Sequence, residues 1–404
     1  MHAPFSHSAF GHVLQRKIVT WGLLEEVCQS LEPTDTQYEQ AKTSYETVAE
    51  WLSASENLAL KNLSLYAHGS TALGTTIRPI GREDFDVDTI CRVCGLTEAT
   101  SPSILKQLIG DRLKEHGLYR RMLEEKKRCW RLNYDRAFHL DISPTILNPH
   151  CANGGELVPD KSLKTWKPTN PRGYKALFER RCQLQPRIKI SKSIAADSDI
   201  RADIEAFPNR KARKGILRRI VQLLKRHRDI MFQHVEDDIA PISIIITTLA
   251  AQSYEFCVSK FEFETELDVV IDVIRLMPHF IERPVAHGRV IYSVPNETTQ
   301  GENFAERWNS EPQRAKAFFE WHSRALRDFE HLASLEGQDV ISKSLSSSLG
   351  DGVVRKVMDA RTDTISSARA AARLFVAPTV GLSLSRSAGA VEVPRNTHFG
   401  DIPR

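Results

Sequence analysis

Residues 67–93 read AHGSTALGTTIRPIGREDFDVDTICRV, and three aspartates at alternating positions, Asp84, Asp86 and Asp88, decide how the chain is read. In a strand, side chains i and i+2 share a face, so a pair of these aspartates projects two carboxylates side by side. Like charges held that close raise each other's pKa unless a cation lies between them. A hard, oxygen-seeking ion such as magnesium suits the arrangement, because it takes one or two carboxylates and completes its shell from substrate phosphates. Asp86 and Asp88 adjoin the apolar run Ile90–Val93, and a buried strand fixes carboxylate geometry better than a loop does. The pair Asp84 and Asp86 remains the alternative.

Upstream, HGSTALGT joins a strand to a short helix. Gly69 lets the backbone approach a ligand closely, and Ser70 offers a hydroxyl and an amide to phosphate. Downstream, CWRLNYDRAFHLDISPTI alternates with period 2 on both sides of Asp135 and Arg136, which predicts a hairpin. In its second arm Phe138, Leu140 and Ile142 fall on one face and His139 and Asp141 on the other. If that arm lies beside the strand of Asp86 and Asp88, Asp141 supplies a third carboxylate.

The rest of the sequence sets the frame. With 404 residues, 41% hydrophobic and 26% charged, the chain has ordinary globular composition and length for two domains. A formal charge of +4 does not mark a nucleic-acid wrapper. No run approaches the roughly 18 apolar residues of a membrane span, and the first residues lack the apolar core of a signal peptide, so a cytoplasmic protein is expected. Seven scattered cysteines read as free thiols; Cys91 and Cys94 alone have ligand-like spacing, without a second pair.

Thr34 and Gln37 form a capping-box pattern ahead of a helix over 34–60, and a second helical pattern covers 103–125. The Pro-, Asn- and Gly-rich stretch 143–173 reads as a long ordered loop, the kind that usually carries function. Beyond residue 207 the spacing turns helical, over 215–233, 241–257, 264–278 and 311–335. Residues 377–404 lose periodicity and read as a flexible tail.

Together these features resemble the nucleotidyltransferase superfamily that includes DNA polymerase beta, oligoadenylate synthase and the animal cyclic GMP-AMP synthase. The phrases PTDTQ, HGSTALGTTIRPIG before DVD, FHLDISPTI, KTWKPTNPRGY, LLKRHRD and NFAERW resemble, in the same order, the bacterial cGAS/DncV-like nucleotidyltransferases of CBASS anti-phage systems. The resemblance spans about residues 30–335. It implies an α+β fold: a polymerase-beta-like nucleotidyltransferase core of mixed sheet with helices over 30–205, a C-terminal helical lobe over 206–376, and the tail.

The same resemblance implies that Gly69 and Ser70 hold a triphosphate and that Asp86, Asp88 and Asp141 bind two Mg²⁺ or Mn²⁺ ions. Asp141 lies nearest the attacking hydroxyl, and Lys225 and Ser243 contact the donor triphosphate. The substrates are nucleoside triphosphates, ATP among them, and the product a cyclic di- or trinucleotide. Residues 210–228 hold nine Lys and Arg and no acid, on a helix whose basic side chains fan around one apolar stripe. With no interleaved aromatics and no zinc-loop ligand set, the sequence argues against a nucleic-acid activator. His227 reads as a surface residue and His68 as a strand-end packing residue. Trp166, Pro171 and Tyr174 are placed to cover a base, and Asn296 to sit near the cleft. By the same resemblance the tail is expected to be a handle for CBASS partner proteins. Two other functions compete: transfer to an RNA, protein or small-molecule acceptor, and a catalytically silent nucleotide-binding module.

Overall fold

The computed structural model describes residues 7–60, 62–81, 85–134, 137–160, 164–189, 214–236, 238–286, 288–377, 381–384, 386 and 389–394. Asp84 lies outside them, as do residues 210–213 of the basic run.

The sheet grows outward from the aspartate strand. β1 (Leu63–Ala67) runs antiparallel to β2 (Phe85–Val93), β2 pairs in parallel with β5 (Phe138–Leu147), and β4 (Trp130–Tyr134) and β3 (Leu123–Glu125) continue antiparallel beyond it. In β2, Phe85 and Val87 are buried while Asp86 and Asp88 point to the other face; from Thr89 onward most residues are buried, as befits a central strand. The hairpin pairs Tyr134 with Phe138 and Arg131 with Asp141.

Helix α2 (Asp35–Ser53) starts at Thr34 with both halves of the capping box formed, and α4 (Pro102–Glu115) and α5 (Gly117–Met122) occupy the second predicted helical stretch. These helices pack on the sheet in one apolar cluster containing Leu52, Leu105, Ile109, Trp130 and Leu140.

A second cluster is helical. It joins α7 (Ile216–Met231), α8 (Ser243–Lys260), α9 (Glu266–Leu276), α10 (Pro312–Ser334), α11 (Gln338–Leu349) and α12 (Asp351–Ala370), with α6 (Pro171–Cys182) at its border. α1 (His7–Leu31) belongs to it as well, through Leu23, Leu24, Val27 and Leu31. Leu73 of α3 (Gly69–Leu73), and Ile77 after it, also pack there. The segment following the Gly-Ser pair thus crosses from the sheet to the helices.

Three expectations change. The stretch 143–173 is not one long loop: β5 runs to Leu147, β6 (Glu156–Pro159) pairs with it, and β7 (Trp166–Thr169) pairs with β6. Its prolines do not break the ladder because this arm leaves the main sheet order and ends it. The stretch read as a flexible tail contains Gly381–Ser383 and Val391–Glu392, both paired with the strand Phe375–Ala377; residues 395–404 lie outside the described residues. The basic helix does not fan its charges into solvent. Arg219, Lys225, Arg226 and His227 are all buried, because α7 is packed on several sides.

Candidate active site

Parallel pairing of β2 with β5 sets Asp88 directly beside Asp141 and Asp86 beside His139. Since the apolar residues of both strands face the sheet cluster, these polar residues share the opposite face. That face opens on a cleft of about 890 Å³ between the two apolar clusters. The residues expected to bind metal and phosphate, Gly69, Ser70, Asp86, Asp88, Asp141, Lys225 and Ser243, all line it.

The short helix α3 turns at Gly69, whose φ of +60° is in the region glycine favours. A Cβ there would lie 2.4 Å from Asp88 Oδ2, so the glycine also makes room for the carboxylate. The His68 amide donates to the Asp88 carbonyl at 2.9 Å, tying the turn to β2. Thr76 Oγ1 donates to the Ser70 hydroxyl at 3.4 Å. Lys225, on α7, is buried and donates from Nζ to the Thr75 carbonyl at 3.0 Å. Ser243 opens α8, and its hydroxyl accepts from Arg228 Nη1 at 3.1 Å.

The carboxylates are crowded. Burial pushes Asp88 up to about 7, and the charges of Asp141 and Asp86 push the same way. Arg131 grips Asp141 with two bonds, Nε to Oδ1 at 2.7 Å and Nη2 to Oδ2 at 2.8 Å, and reaches Asp86 Oδ1 at 3.1 Å. Bonding to Asp141 raises the Arg131 pKa further. His139 Nδ1 lies 3.3 Å from Asp86 Oδ1. Lys225 is held down to about 8, by burial first and then by Arg228. Burial lowers His68 to about 4, which keeps its ring neutral at the cleft floor.

Among the described residues no three His, Cys, Asp or Glu side chains gather into a cage that holds a metal by itself. The three carboxylates nevertheless suit a divalent cation: the unfavourable charge of Asp88 is relieved by one, and an open site leaves positions for substrate oxygens.

Other readings resolve individually. Tyr174 and Pro171 line the cleft, with Tyr174 edge-on to Phe304 at 5.9 Å and bonded to Thr248 Oγ1 at 2.9 Å. Asn296 lines it too, buried and donating to Glu302 at 2.7 Å. Trp166 is elsewhere, its ring N–H donating to the carbonyls of Glu98 and Thr100. His227 is buried rather than at the surface, with Nε2 3.1 Å from Asp328, because its side of α7 faces α10. Arg131 was not singled out from the sequence, Arg228 was read only as part of the basic run, and His139 only as sharing a face with Asp141. Arg131 was within reach: a hairpin centred on residue 136 places 131 opposite 141.

Paired strand carboxylates, a third on the parallel neighbour, a glycine turn beside them and a lysine from a helical lobe are the features expected of a polymerase-beta-like nucleotidyltransferase. Residues 20–181 match the Second Messenger Oligonucleotide or Dinucleotide Synthetase domain. A c-di-GMP synthase of Roseivirga ehrenbergii is 29% identical over 386 residues, 94% of this chain and 96% of that protein. The fold is shared with CdnG of Bradyrhizobium diazoefficiens, solved in complex with GTP (TM-score 0.64, 19% identity, 86% of this chain and 99% of that one). It is also shared with CdnC of E. coli MS115-1, solved with ATP (TM-score 0.58, 13% identity, 81% and 96%). Along most of its length the chain is similar to the CD-NTases, bacterial nucleotidyltransferases of the cGAS/DncV-like type. No described helix is long and apolar enough to cross a membrane.

Proposed function

We propose that the chain joins two nucleoside triphosphates into a cyclic dinucleotide, with GTP sufficient as substrate, and that Asp86, Asp88 and Asp141 hold two Mg²⁺ or Mn²⁺ ions for the reaction. The observation that carries this is the parallel register of Asp88 with Asp141 at the mouth of one cleft that also holds Lys225. GTP is preferred over the sequence-based ATP because the relative that matches along nearly the whole chain is a c-di-GMP synthase.

A divalent cation held by Asp86, Asp88 and Asp141 would lower the pKa of the attacking ribose hydroxyl and offset charge on the α-phosphate as pyrophosphate leaves. The protein's own groups do the rest. Lys225 meets the donor triphosphate from the helical side, with Ser243 beside it. The Gly69 turn lets the phosphates reach the carboxylates without a side chain in the way. Asp141, oriented by its two bonds from Arg131, takes the proton of the hydroxyl. Tyr174 and Phe304 offer an aromatic wall to a base. We assign the catalytic core to residues 30–205 and the lobe to 206–376, with α1 serving the lobe. We further propose a cytoplasmic role in CBASS anti-phage defence, with partner proteins engaging the chain's last residues.

The test is direct. Protein is incubated with labelled GTP and Mg²⁺ or Mn²⁺, alone and with the other nucleotides, and treated with phosphatase. A resistant cyclic product from GTP alone, lost in Asp86→Ala and Asp88→Ala, is expected. A product that requires ATP restores ATP as a substrate, and pyrophosphate release only with an added acceptor overturns cyclisation.

A further inference from the structure

A second cavity of about 440 Å³ lies behind the segment that follows the Gly-Ser turn, between that segment, the C-terminal half of α7 and the corner joining α11 to α12. Arg226 lines it and is 7% exposed. Among the described residues its Nε and Nη1 are buried with no hydrogen-bond partner. Arg78 lines the same cavity; its Nη2 donates to the Ser30 carbonyl, while its Nε is likewise buried and unpaired. Burial lowers the Arg226 pKa, and Arg78 is close enough to lower it further, so two guanidiniums face one space.

Folded proteins rarely leave a buried guanidinium unpaired, since removing a charge from water costs several kcal/mol unless bonds replace the lost hydration. The charges around the cavity do not supply those bonds. Asp351 at its mouth is paired with Arg355 on α12, and Asp229, which acts on Arg226 from the next turn of α7, is bonded by Arg228. Lys356 adds a third positive charge at the rim. Three cations against carboxylates already engaged call for more than one negative charge, which favours a phosphate dianion over a single carboxylate. The remaining walls, Leu31, Ile80, Ile230, Leu349 and Val353, are apolar, and the volume exceeds that of a bare phosphate.

We propose that this cavity binds a small phosphate monoester, its phosphate held between Arg226 and Arg78 and its organic part against the apolar walls. The site is separate from the catalytic cleft and shares one wall with it: Pro79, Ile80 and Gln233 border both. An occupant therefore bears on the stretch that leads into the aspartate strand.

Calorimetric titration and thermal melting of the full chain, in EDTA and with a non-hydrolysable GTP analogue saturating the catalytic cleft, provide the test. Inorganic phosphate and phenyl phosphate are the probes. Saturable binding is expected, tighter for phenyl phosphate, and weakened by about tenfold or more in Arg226→Met and in Arg78→Met but retained in Lys225→Met. Arg226→Met is also expected to melt above wild type in phosphate-free buffer, because it removes an unpaired buried charge. If that variant does not fold, Arg78→Met, at a half-buried position, decides. No saturable binding by wild type, equal binding by both arginine variants, or binding lost in Lys225→Met overturns the proposal.

Discussion

Asp88 and Asp141 stand at the same register position of adjacent parallel strands, so two carboxylates share one edge of the cleft with Asp86 one pleat away. In the metal-free chain burial and these neighbours keep the Asp88 proton on up to about pH 7, against an ordinary value of 3.8. Between about pH 4 and about pH 7 the folded chain therefore holds a proton that the unfolded chain has released. Stability falls as pH rises through that window and levels off above it. Urea midpoints at steps from pH 5 to pH 8, in EDTA, are expected to show this decline in wild type and to lose it in Asp88→Asn. The same slope in both proteins would mean that Asp88 ionises normally.

Lys225 gives a pH effect of opposite origin. Burial and Arg228 hold it down to about 8 in the free protein, and a bound triphosphate favours its charged form. Above pH 8, nucleotide binding is expected to take up a proton and to weaken as pH climbs. Calorimetry at pH 9 in two buffers of different ionisation enthalpy measures that uptake, which should vanish in Lys225→Met. Uptake that persists in the variant assigns the proton elsewhere.

Gly69→Ala is expected to abolish product formation. The substitution places a Cβ 2.4 Å from Asp88 Oδ2 and forces alanine into a φ of +60°, which alone costs about 1–2 kcal/mol. Circular dichroism should stay near wild type while metal-dependent turnover disappears. A fully active variant would show that the turn does not fix the carboxylate.

Gly110→Ala tests the sheet cluster away from the cleft. In an exposed helix this change gains about 1 kcal/mol of propensity. Here the new Cβ would meet Trp130 ring carbons at 2.1 and 2.3 Å, and that ring is anchored by its N–H to the Lys106 carbonyl at 2.8 Å. Overpacking is expected to win, lowering stability by about 1–3 kcal/mol in denaturant titration. A rise in stability would mean that Trp130 moves aside at little cost.

The aspartate strand and the hairpin were legible because period-2 alternation survives inside them, and Asp141 followed from the same pattern. Helices α2 and α7–α10 were legible from capping and apolar spacing. α1 was not, because exposed Val13 and Val19 and buried Thr20 blur its stripe. β6 and β7 hid behind their prolines, and β6 buries the acid Glu156. Glu156 accepts from Tyr66 at 2.7 Å and Thr145 at 2.6 Å. The burial of Arg219, Arg226 and His227 depends on what packs around α7, which no single stretch of sequence records. For Arg219 the partner is Glu32, on the connection between α1 and α2, 187 residues away in the chain.

The cleft runs along the seam between two separately packed cores, the carboxylates carried by one and Lys225 by the other. A triphosphate spanning the carboxylates and Lys225 would act as a keystone between the two cores, because its contacts would exist only while both are intact. The free energy of substrate binding would then couple the melting of one core to that of the other. Substrate supply would on this view set not only the rate of synthesis but the length of time each enzyme molecule survives to perform it.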